Sequence, residues 1–192
     1  DVEHLVTHDP PDSRTPQWSR HAPHRLMSFD IETLNSFGRF PQPNDSPVIN
    51  ASFVVQLQDD NTQIDPDTGD CPDNQNFSFT LRACSPINGS AVHVFRSELR
   101  MLEAILNFVQ QVDPDQVWGH NVKRFDLSFI VKRAEYLRMS KKQGLKQLGR
   151  VQGLLSRVEE KKFQSRAFGE RIIINVPIPG RADEDSMEVY MR

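Results

Sequence analysis

Apolar and polar positions along the chain predict several short strands and two helices. Residues 24–33 (HRLMSFDIET) are expected to form a first strand and residues 48–58 (VINASFVVQLQ) a second, because their apolar side chains partly alternate with polar ones. A third strand is expected in FSFTLRAC, residues 77–84, after a polar loop over residues 59–76. That loop carries the acidic fragment DPDTGD, but it lacks the ligand spacing and the distal glutamate of a calcium loop.

Helical periodicity appears later in the chain. Residues 97–112 place six aliphatic side chains on one face, with Ser97 as the expected N-cap and Asp113-Pro114 as the stop. QVWG, residues 116–119, is predicted to be a buried strand, and RFDLSFIVKRAEYLRM a second helix. A Lys- and Gln-rich stretch without clear form follows, and then RIIINVPIPGR, a strand or hairpin that its prolines limit to a sheet edge. This order of elements predicts an α/β or α+β layered domain with a mixed sheet.

Length and composition narrow the class of protein. A chain of 192 residues can form one domain with a substantial core. Residues 1–25 are rich in proline and lack periodicity, so we expect an extended leader there and the folded domain over residues 26–192. No run of about 18 apolar residues and no signal-peptide pattern is present, which predicts an intracellular chain without a membrane span. Cys71 and Cys84 are expected to remain reduced.

The net charge of −3 conceals an uneven distribution. Residues 1–122 hold 7 Lys and Arg against 17 Asp and Glu, whereas residues 123–171 hold 14 basic and 5 acidic residues. An acidic part beside a basic part suggests a metal-binding face next to a surface for a polyanion. A solvated, partly helical basic face explains the same numbers, and charge alone favours that simpler interpretation.

Asp30 and Glu32 stand out within the first predicted strand. Side chains alternate across a strand, so these two carboxylates share one face while Phe29 and Ile31 share the other. Two like charges held so close repel each other unless a cation joins them, and oxygen-only ligands suit Mg²⁺ or Mn²⁺. A solvated edge strand is the alternative, because Asp-x-Glu is common by itself.

A third carboxylate comes from WGHNVKRFDLSF. Asp126 starts a predicted helix directly after a buried strand, where the positive end of the helix dipole tolerates an anion. Such a turn can direct Asp126 toward the neighbouring strand. An ordinary acidic residue at a helix start is the other interpretation of Asp126.

Taken together, these segments resemble the 3′→5′ proofreading exonuclease domain of family B DNA polymerases. FDIET is similar to the first exonuclease motif of that family and NVKRFD, residues 121–126, to the second. The flanking segments resemble the family as well, notably FPQPNDSPVIN, FVQQVDPDQVWGHNVKRFDLSFIVKRAEYL and AFGERIIINVPIPGR. The resemblance extends over roughly residues 15–192.

The resemblance implies a ribonuclease H-like fold, with a mixed central sheet flanked by helices, and hydrolysis of the 3′-terminal phosphodiester of DNA with two Mg²⁺ or Mn²⁺ ions. Asp30, Glu32 and Asp126 would be catalytic metal ligands, with Asp30 bridging both ions. Asn121 and Phe125 would flank a frayed, single-stranded 3′ end, Asn121 by hydrogen bonding and Phe125 by packing or stacking. Helix-start core packing explains Phe125 equally well.

Further expectations also come from the resemblance. The basic residues between Lys132 and Arg171 would face the DNA backbone, and RIIINVPIPG would form a β-hairpin near the primer end. Asp185, after the Gly-Arg turn, would occupy an acidic position that is not a metal ligand. The implied partners are DNA, the remainder of a polymerase chain, and possible sliding-clamp and accessory subunits. The implied location is the nucleus or a viral replication compartment.

One family feature does not occur in these 192 residues. The third exonuclease motif, Tyr-x-x-x-Asp, supplies a fourth carboxylate, and neither Tyr136 nor Tyr190 is followed by Asp at that spacing. We therefore expect a C-terminally truncated exonuclease domain without its polymerase domain, and weak or no activity of this chain alone. A non-catalytic DNA-binding or structural module, and an RNA-directed exonuclease, are the alternative functions.

Overall fold

The computed structural model describes residues 22–35, 38–59, 62–67, 71, 73–139, 148–151, 153–165 and 169–190. The proposed leader lies mostly outside the described residues, as does much of the Lys- and Gln-rich stretch. The strands are β1 (His24–Thr33), β2 (Val48–Gln58), β3 (Gln75–Leu81), β4 (Ser90–Phe95), β5 (Gln116–Gly119), β6 (Glu159–Ser165), β7 (Gly169–Asn175) and β8 (Ala182–Asp185). The helices are α1 (Glu98–Val112), α2 (Asp126–Tyr136) and α3 (Ser186–Tyr190).

Six strands form one mixed sheet in the order β4-β3-β2-β1-β5-β8. β2 runs antiparallel to both β1 and β3, while β5 runs parallel to β1 and β8 parallel to β5. β1 therefore lies inside the sheet, where its alternating apolar residues can be buried. This arrangement confirms the predicted mixed α/β architecture.

The core lies on one face of this sheet. β1 contributes Met27, Phe29 and Ile31 to it, and all three are buried. Helices α1 and α2 add their apolar residues to the same cluster. The opposite face of β1 carries Leu26, Ser28, Asp30 and Glu32, as the alternation in the sequence predicts. Both longer helices thus pack on the core face, and the two acidic residues point away from it.

An aromatic cluster joins α1 to the strands on one side of β1. The Phe108 ring of α1 lies with its centroid 5.2 Å from that of Phe53, 4.7 Å from that of Phe77 and 5.2 Å from that of Phe79. Such tilted ring pairs add to the free energy of burial. They fix the helix against β2 and β3.

A buried ion pair joins the two long helices. Arg133 of α2 donates from Nε and a terminal nitrogen to the two carboxylate oxygens of Glu98, at 2.8 and 2.7 Å, and donates again to the Pro43 carbonyl at 2.8 Å. Glu98 also accepts the Val48 amide proton at 2.8 Å. Because Arg133 is buried, the Glu98 side chain is only 10% exposed and both carboxylate oxygens accept from the guanidinium, this contact sets how α2 lies relative to α1 and β2.

A second polar cluster fixes the end of α1. Asp113 caps the helix in a left-handed conformation, with φ of 48°. Its carboxylate accepts hydrogen bonds from Arg150 and from the buried Arg181, both at 2.7 Å. The hydrogen bond from Arg150 is the main reason why the pKa of Asp113 is lowered. The end of α1 is thereby joined to the segment preceding β8.

Several predicted elements differ from the observed ones. β4, β6, β8 and α3 were not predicted, and α2 begins at Asp126, as its position at a helix start predicted, but ends at Tyr136 and not at Met139. RIIINVPIPGR was expected at the edge of a sheet, and its first half belongs to β7, which pairs with β6 in a separate two-stranded hairpin. Ser97 is the N-cap of α1 as predicted, but it caps without a side-chain hydrogen bond. Cys71 and Cys84 are both free thiols, as expected.

Candidate active site

The central strand presents two carboxylates on the open face of the sheet. Asp30 and Glu32 are both exposed and lie opposite Ser52 and Asn50 of β2. On its other side, β1 pairs with β5 only from Leu26 to Ser28. Past that point, no strand among the described residues lies beside this edge of β1. A backbone donor of β1 is therefore available to a group other than a strand.

Helix α2 brings Asp126 to this gap in the pairing. The Asp126 carboxylate accepts the backbone N–H of Ile31 at 3.0 Å, across 95 residues of sequence. Ile31 lies between Asp30 and Glu32, so this hydrogen bond anchors Asp126 at the centre of the acidic strand. Asp126 therefore lies against the first strand, as predicted.

A compact turn over residues 119–125, called here the 119–125 turn, connects β5 to α2. A Cβ placed on Gly119 would lie 2.6 Å from Cβ of Val122 and 3.1 Å from the Phe29 carbonyl oxygen, so a larger residue does not fit. Asn121 adopts φ of 58°, the left-handed region that Asn tolerates better than most residues. The turn thus packs directly against β1 and places the start of α2 beside it.

Burial makes Asp126 an unusual acid. Its side chain is 2% exposed, and desolvation is the largest cause that raises its pKa, to about 7. Hydrogen bonds from the Ile31 and Asp126 backbone amides oppose that shift, while the neighbouring Asp30 carboxyl adds to it by charge and by hydrogen bonding. Near neutral pH, the Asp30–Asp126 pair therefore favours a bound proton or a bound cation between its oxygens.

Glu32, the third expected ligand, does not form one cluster with Asp30 and Asp126. Glu32 lies two residues along β1 on the same exposed face. Across the described ranges, no group of three or more His, Cys, Asp and Glu side chains is close enough to hold a metal ion. Asp30 and Asp126 nevertheless form an oxygen-only pair of the kind that Mg²⁺ and Mn²⁺ prefer, and the raised pKa of Asp126 indicates that an uncompensated negative charge is unfavourable there. The donor chemistry of this pair fits a hard divalent cation.

Asn121 and Phe125, the two residues expected to flank a DNA 3′ end, have different surroundings. Phe125 packs its ring against Phe129 and Phe40, each with centroids 5.4 Å apart. It is partly buried against the core, which agrees with the packing interpretation. Phe40 is 68% exposed, so this aromatic group continues outward to the surface. Asn121 shapes the turn through its backbone, and its N–H donates to Asp185 at 2.8 Å.

Groups of β8 and α3 hold the 119–125 turn, and sequence patterns indicate them only weakly. Asp185 accepts from the backbone N–H groups of Asn121 and Lys123, at 2.8 and 3.2 Å. Lys123 Nζ lies 3.1 Å from Asp183 and 3.5 Å from Glu188. Apart from the family position of Asp185, the signal was the run of acids in ADEDSME, which is typical of a solvated surface when its partners are unknown.

The basic stretch is less available than its charge suggests. Within it, Lys132 pairs with Glu160 at 2.8 Å and Lys161 approaches Glu159 at 3.8 Å. Arg150 pairs with Asp113 and Asp115, each at 2.7 Å. Arg133 is buried in its pair with Glu98. Several basic residues of this stretch therefore form ion pairs within the domain.

The six-stranded mixed sheet, in the order β4-β3-β2-β1-β5-β8, defines a ribonuclease H-like fold. A solved structure of the family B DNA polymerase from Pyrobaculum calidifontis shares this fold, with a TM-score of 0.51 and 20% identity over 89% of this chain and 16% of that chain. None of the described helices has the length and apolar character needed to cross a membrane.

Sequence comparison identifies the family. The family model described as DNA polymerase family B, exonuclease domain, matches residues 1–192. The DNA polymerase delta catalytic subunit of Schizosaccharomyces pombe is 36% identical over 92% of this chain, and that of Glycine max is 35% identical over 98%. The delta catalytic subunit of Bos taurus is also 35% identical over 98%. The chain belongs to the exonuclease domain family of family B DNA polymerases, which confirms the resemblance found in its motifs.

The match covers a limited part of each relative. The chain spans 15% of the Schizosaccharomyces pombe subunit and 16% of the Glycine max and Bos taurus subunits. Exonuclease domains of this family depend on metal ions in general.

Proposed function

We propose that this domain removes nucleotides from the 3′ end of DNA and acts as the proofreading exonuclease of a replicative family B polymerase of the delta type. The proposal rests on the contact of the Asp126 carboxyl with Asp30 and with the Ile31 amide. A buried acid with a pKa of about 7 beside a second carboxylate is costly to maintain. A cation site that handles a phosphodiester accounts for that cost.

The proposed cofactor is a pair of Mg²⁺ or Mn²⁺ ions, which Asp30, Glu32 and Asp126 would hold. When bound, such ions stabilise the attacking and leaving oxygens of a phosphodiester during hydrolysis. The support in this chain is the oxygen-only donor set and the raised pKa of Asp126. A bound cation would replace the proton that Asp126 favours near neutral pH.

The protein groups around the pair have separate tasks. The Ile31 N–H holds one oxygen of Asp126 and leaves the carboxylate facing Asp30. Exposed Asp30 and Glu32 offer their oxygens to the side from which a substrate arrives. We further propose that Asn121 hydrogen-bonds to the frayed 3′ end, and that Phe125 limits its path by packing with Phe40.

The wider context is also proposed from the family. The substrate is the single-stranded 3′ end of a DNA primer, and the partners are the rest of the polymerase chain, with a sliding clamp and accessory subunits. The expected location is the nucleus, or a viral replication compartment. Residues 26–192 would form part of the exonuclease domain, with residues 1–25 as a leader; a Tyr-x-x-x-Asp elsewhere in the protein would supply the fourth carboxylate.

The test is hydrolysis of a 5′-labelled single-stranded DNA oligonucleotide by this chain, with Mg²⁺, Mn²⁺ or EDTA. We expect weak metal-dependent shortening from the 3′ end, because one metal ligand of the family is not among these residues. The double substitution Asp30→Ala with Glu32→Ala should abolish it, since loss of metal ligands removes several kcal/mol of transition-state stabilisation.

The matched control is Glu135→Ala with Glu159→Ala, which removes the same charge from exposed positions on α2 and β6. It should leave activity unchanged. Shortening that survives the Asp30 and Glu32 substitutions would refute the site. Salt-sensitive DNA binding without Mn²⁺ binding would indicate a non-catalytic module, and preference for an RNA oligonucleotide would indicate the RNA-directed alternative.

A further inference from the structure

Asp185 is a buried carboxylate outside the proposed metal ligands. It ends β8 beside Gly119 of β5 and is 2% exposed. One oxygen accepts the N–H groups of Asn121 at 2.8 Å and Met187 at 3.0 Å, and the other accepts the N–H of Lys123 at 3.2 Å. Both oxygens are therefore directed at backbone amides, two of which belong to the 119–125 turn.

These hydrogen bonds hold the turn on both sides of the buried residue Val122. Asn121 and Lys123 flank Val122, which is fully buried and packs against the position of Gly119. Asn121 also accepts from the Phe125 N–H at 2.9 Å, and Val122 from the Leu127 N–H at 2.8 Å. Asp185 thus binds the amides on either side of Val122, and the carbonyls of Asn121 and Val122 accept hydrogen bonds from the start of α2.

A chain of contacts runs from Asp185 to the acidic strand. Asp185 fixes the 119–125 turn, the turn starts α2, and the first residue of α2 is Asp126. Asp126 then accepts the Ile31 N–H at 3.0 Å. Lys123 adds a second link to the same part of the chain through Asp183 at 3.1 Å, and His120 Nδ1 adds a third through Ser186 Oγ at 3.0 Å.

We propose that Asp185 is a positioning residue, which sets the 119–125 turn and so holds Asp126 against Ile31 and Asp30. The consequence for metal binding and hydrolysis rests on the function proposed above. Asp185 itself does not touch the substrate, since its oxygens are engaged by backbone amides. A charged acceptor suits this role, because hydrogen bonds from N–H groups to a carboxylate are stronger than those to a neutral group.

The direct test follows the Ile31 amide, which reports the position of Asp126 without metal or substrate. Amide hydrogen exchange is measured by NMR on the metal-free chain in EDTA, at a temperature well below unfolding. Asp185→Ala and Asp185→Asn should each lower the protection of the Ile31 amide at least tenfold. Asn keeps one acceptor oxygen and a similar shape, so it serves if the Ala variant does not fold.

Glu184→Ala is the matched control, because Glu184 is the exposed neighbour of Asp185 on the same strand. It should leave the Ile31 amide unchanged, whereas Asp126→Ala should remove its protection. Loss of protection at Asn121 and Lys123, with none at Ile31, would overturn the proposal. That result would mean that Asp185 fixes the turn alone.

A second measurement connects Asp185 to the site. Mn²⁺ affinity is measured by electron paramagnetic resonance, and kcat and KM for the oligonucleotide by single-nucleotide product analysis. We expect the Asp185 variants to bind Mn²⁺ about tenfold more weakly, as is typical when a group that orients a ligand is lost. The value of kcat should fall about tenfold while KM stays within about twofold.

The two proposals fail in different ways. If the unmodified chain binds Mn²⁺ no better than Asp30→Ala, the proposed function fails, and the Ile31 exchange still decides the role of Asp185. If the unmodified chain binds and hydrolyses while the folded Asp185 variants match it in affinity and kcat, the positioning role is refuted.

Discussion

At the scale of single residues, Asp126 combines three influences that act in opposite directions. Burial and the adjacent Asp30 favour its protonated form, while the Ile31 and Asp126 backbone amides favour the carboxylate. Burial prevails, because few amides can replace the hydration that a carboxylate loses. The folded domain consequently holds a proton near neutral pH that the unfolded chain has already released.

This proton makes the metal-free domain less stable as pH rises. The pKa of Asp126 is about 7 in the folded state against an ordinary value of 3.8. Between these two values the folded state binds more protons than the unfolded state, so the free energy of unfolding falls with increasing pH. The slope for one group is at most about 1.4 kcal/mol per pH unit, and it should flatten above about pH 7. Urea unfolding in EDTA between about pH 5 and pH 8 measures it.

Asp126→Asn is the control, since an amide keeps the shape and does not titrate. Its free energy of unfolding should lack this slope between about pH 5 and pH 7. If the unmodified chain and Asp126→Asn show the same dependence on pH, Asp126 does not hold a proton in the folded state.

The sequence could predict this site in part. Alternation in a strand placed Asp30 and Glu32 on one face, and the start of α2 placed an acid nearby, because both follow from local backbone geometry. The depth of Asp126 could not be predicted. It depends on β5 ending short of Asp30 on the neighbouring strand, which is a matter of register between segments about 90 residues apart.

At the scale of elements, the pair of Glu98 and Arg133 holds α1, α2 and the start of β2 together. Their side chains are 10% and 8% exposed, so neither charge can regain full hydration if its partner is lost. Arg133→Leu should therefore lower the free energy of unfolding by about 3–5 kcal/mol. The change should appear in urea unfolding as a lower midpoint with an unchanged slope.

Two further variants define this result. Arg100→Leu removes a cation of α1 that is 77% exposed and pairs with Glu103, and it should cost less than about 1 kcal/mol. Glu98→Leu combined with Arg133→Leu should recover part of the loss, because the unpaired buried charge is gone. A double variant less stable than Arg133→Leu would show that the Val48 amide and the Pro43 carbonyl depend chiefly on this pair.

Two of the unpredicted strands, β6 and β8, share a physical cause. β8 consists of Ala182, Asp183, Glu184 and Asp185, a sequence without apolar alternation. It forms because its backbone pairs with β5 and its acids bind the 119–125 turn. β6 is equally polar and forms through pairing with β7. Strand prediction relies on side-chain pattern, so strands made by pairing at an edge are not visible to it.

At the scale of the whole molecule, family membership was predictable because FDIET and NVKRFD carry the resemblance with their flanks. Which basic residues of the stretch over residues 123–171 face solvent, and which pair within the fold, was not predictable. A count of charges cannot distinguish a cation that faces solvent from one that is paired inside the fold. Contacts between distant segments decide that, as Arg133 with Glu98 and Arg150 with Asp113 illustrate.

These pairs limit how DNA binding can respond to salt. Residues 123–171 contain 14 basic residues. In the part of this stretch that the structure describes, five of them pair with carboxylates, namely Lys123, Lys132, Arg133, Arg150 and Lys161. At most nine of the stretch lie outside these five pairs, and each phosphate neutralised on a single strand contributes about −0.7 to the slope of log K against log salt. The slope should therefore be no steeper than about −6, whereas the full set would give about −10.

Fluorescence anisotropy of a labelled single-stranded oligonucleotide, in EDTA and between about 50 and 200 mM KCl, measures this slope. Lys132→Gln with Glu160→Gln removes an exposed pair without changing net charge, and it should leave the slope unaltered. A slope steeper than about −6 would mean that internal pairs open and their cations turn to the DNA. In that case Lys132→Gln with Glu160→Gln should reduce the slope by about 0.7, since Lys132 would be among the released cations. The pair of measurements thus separates cations that maintain the fold from cations that bind the strand.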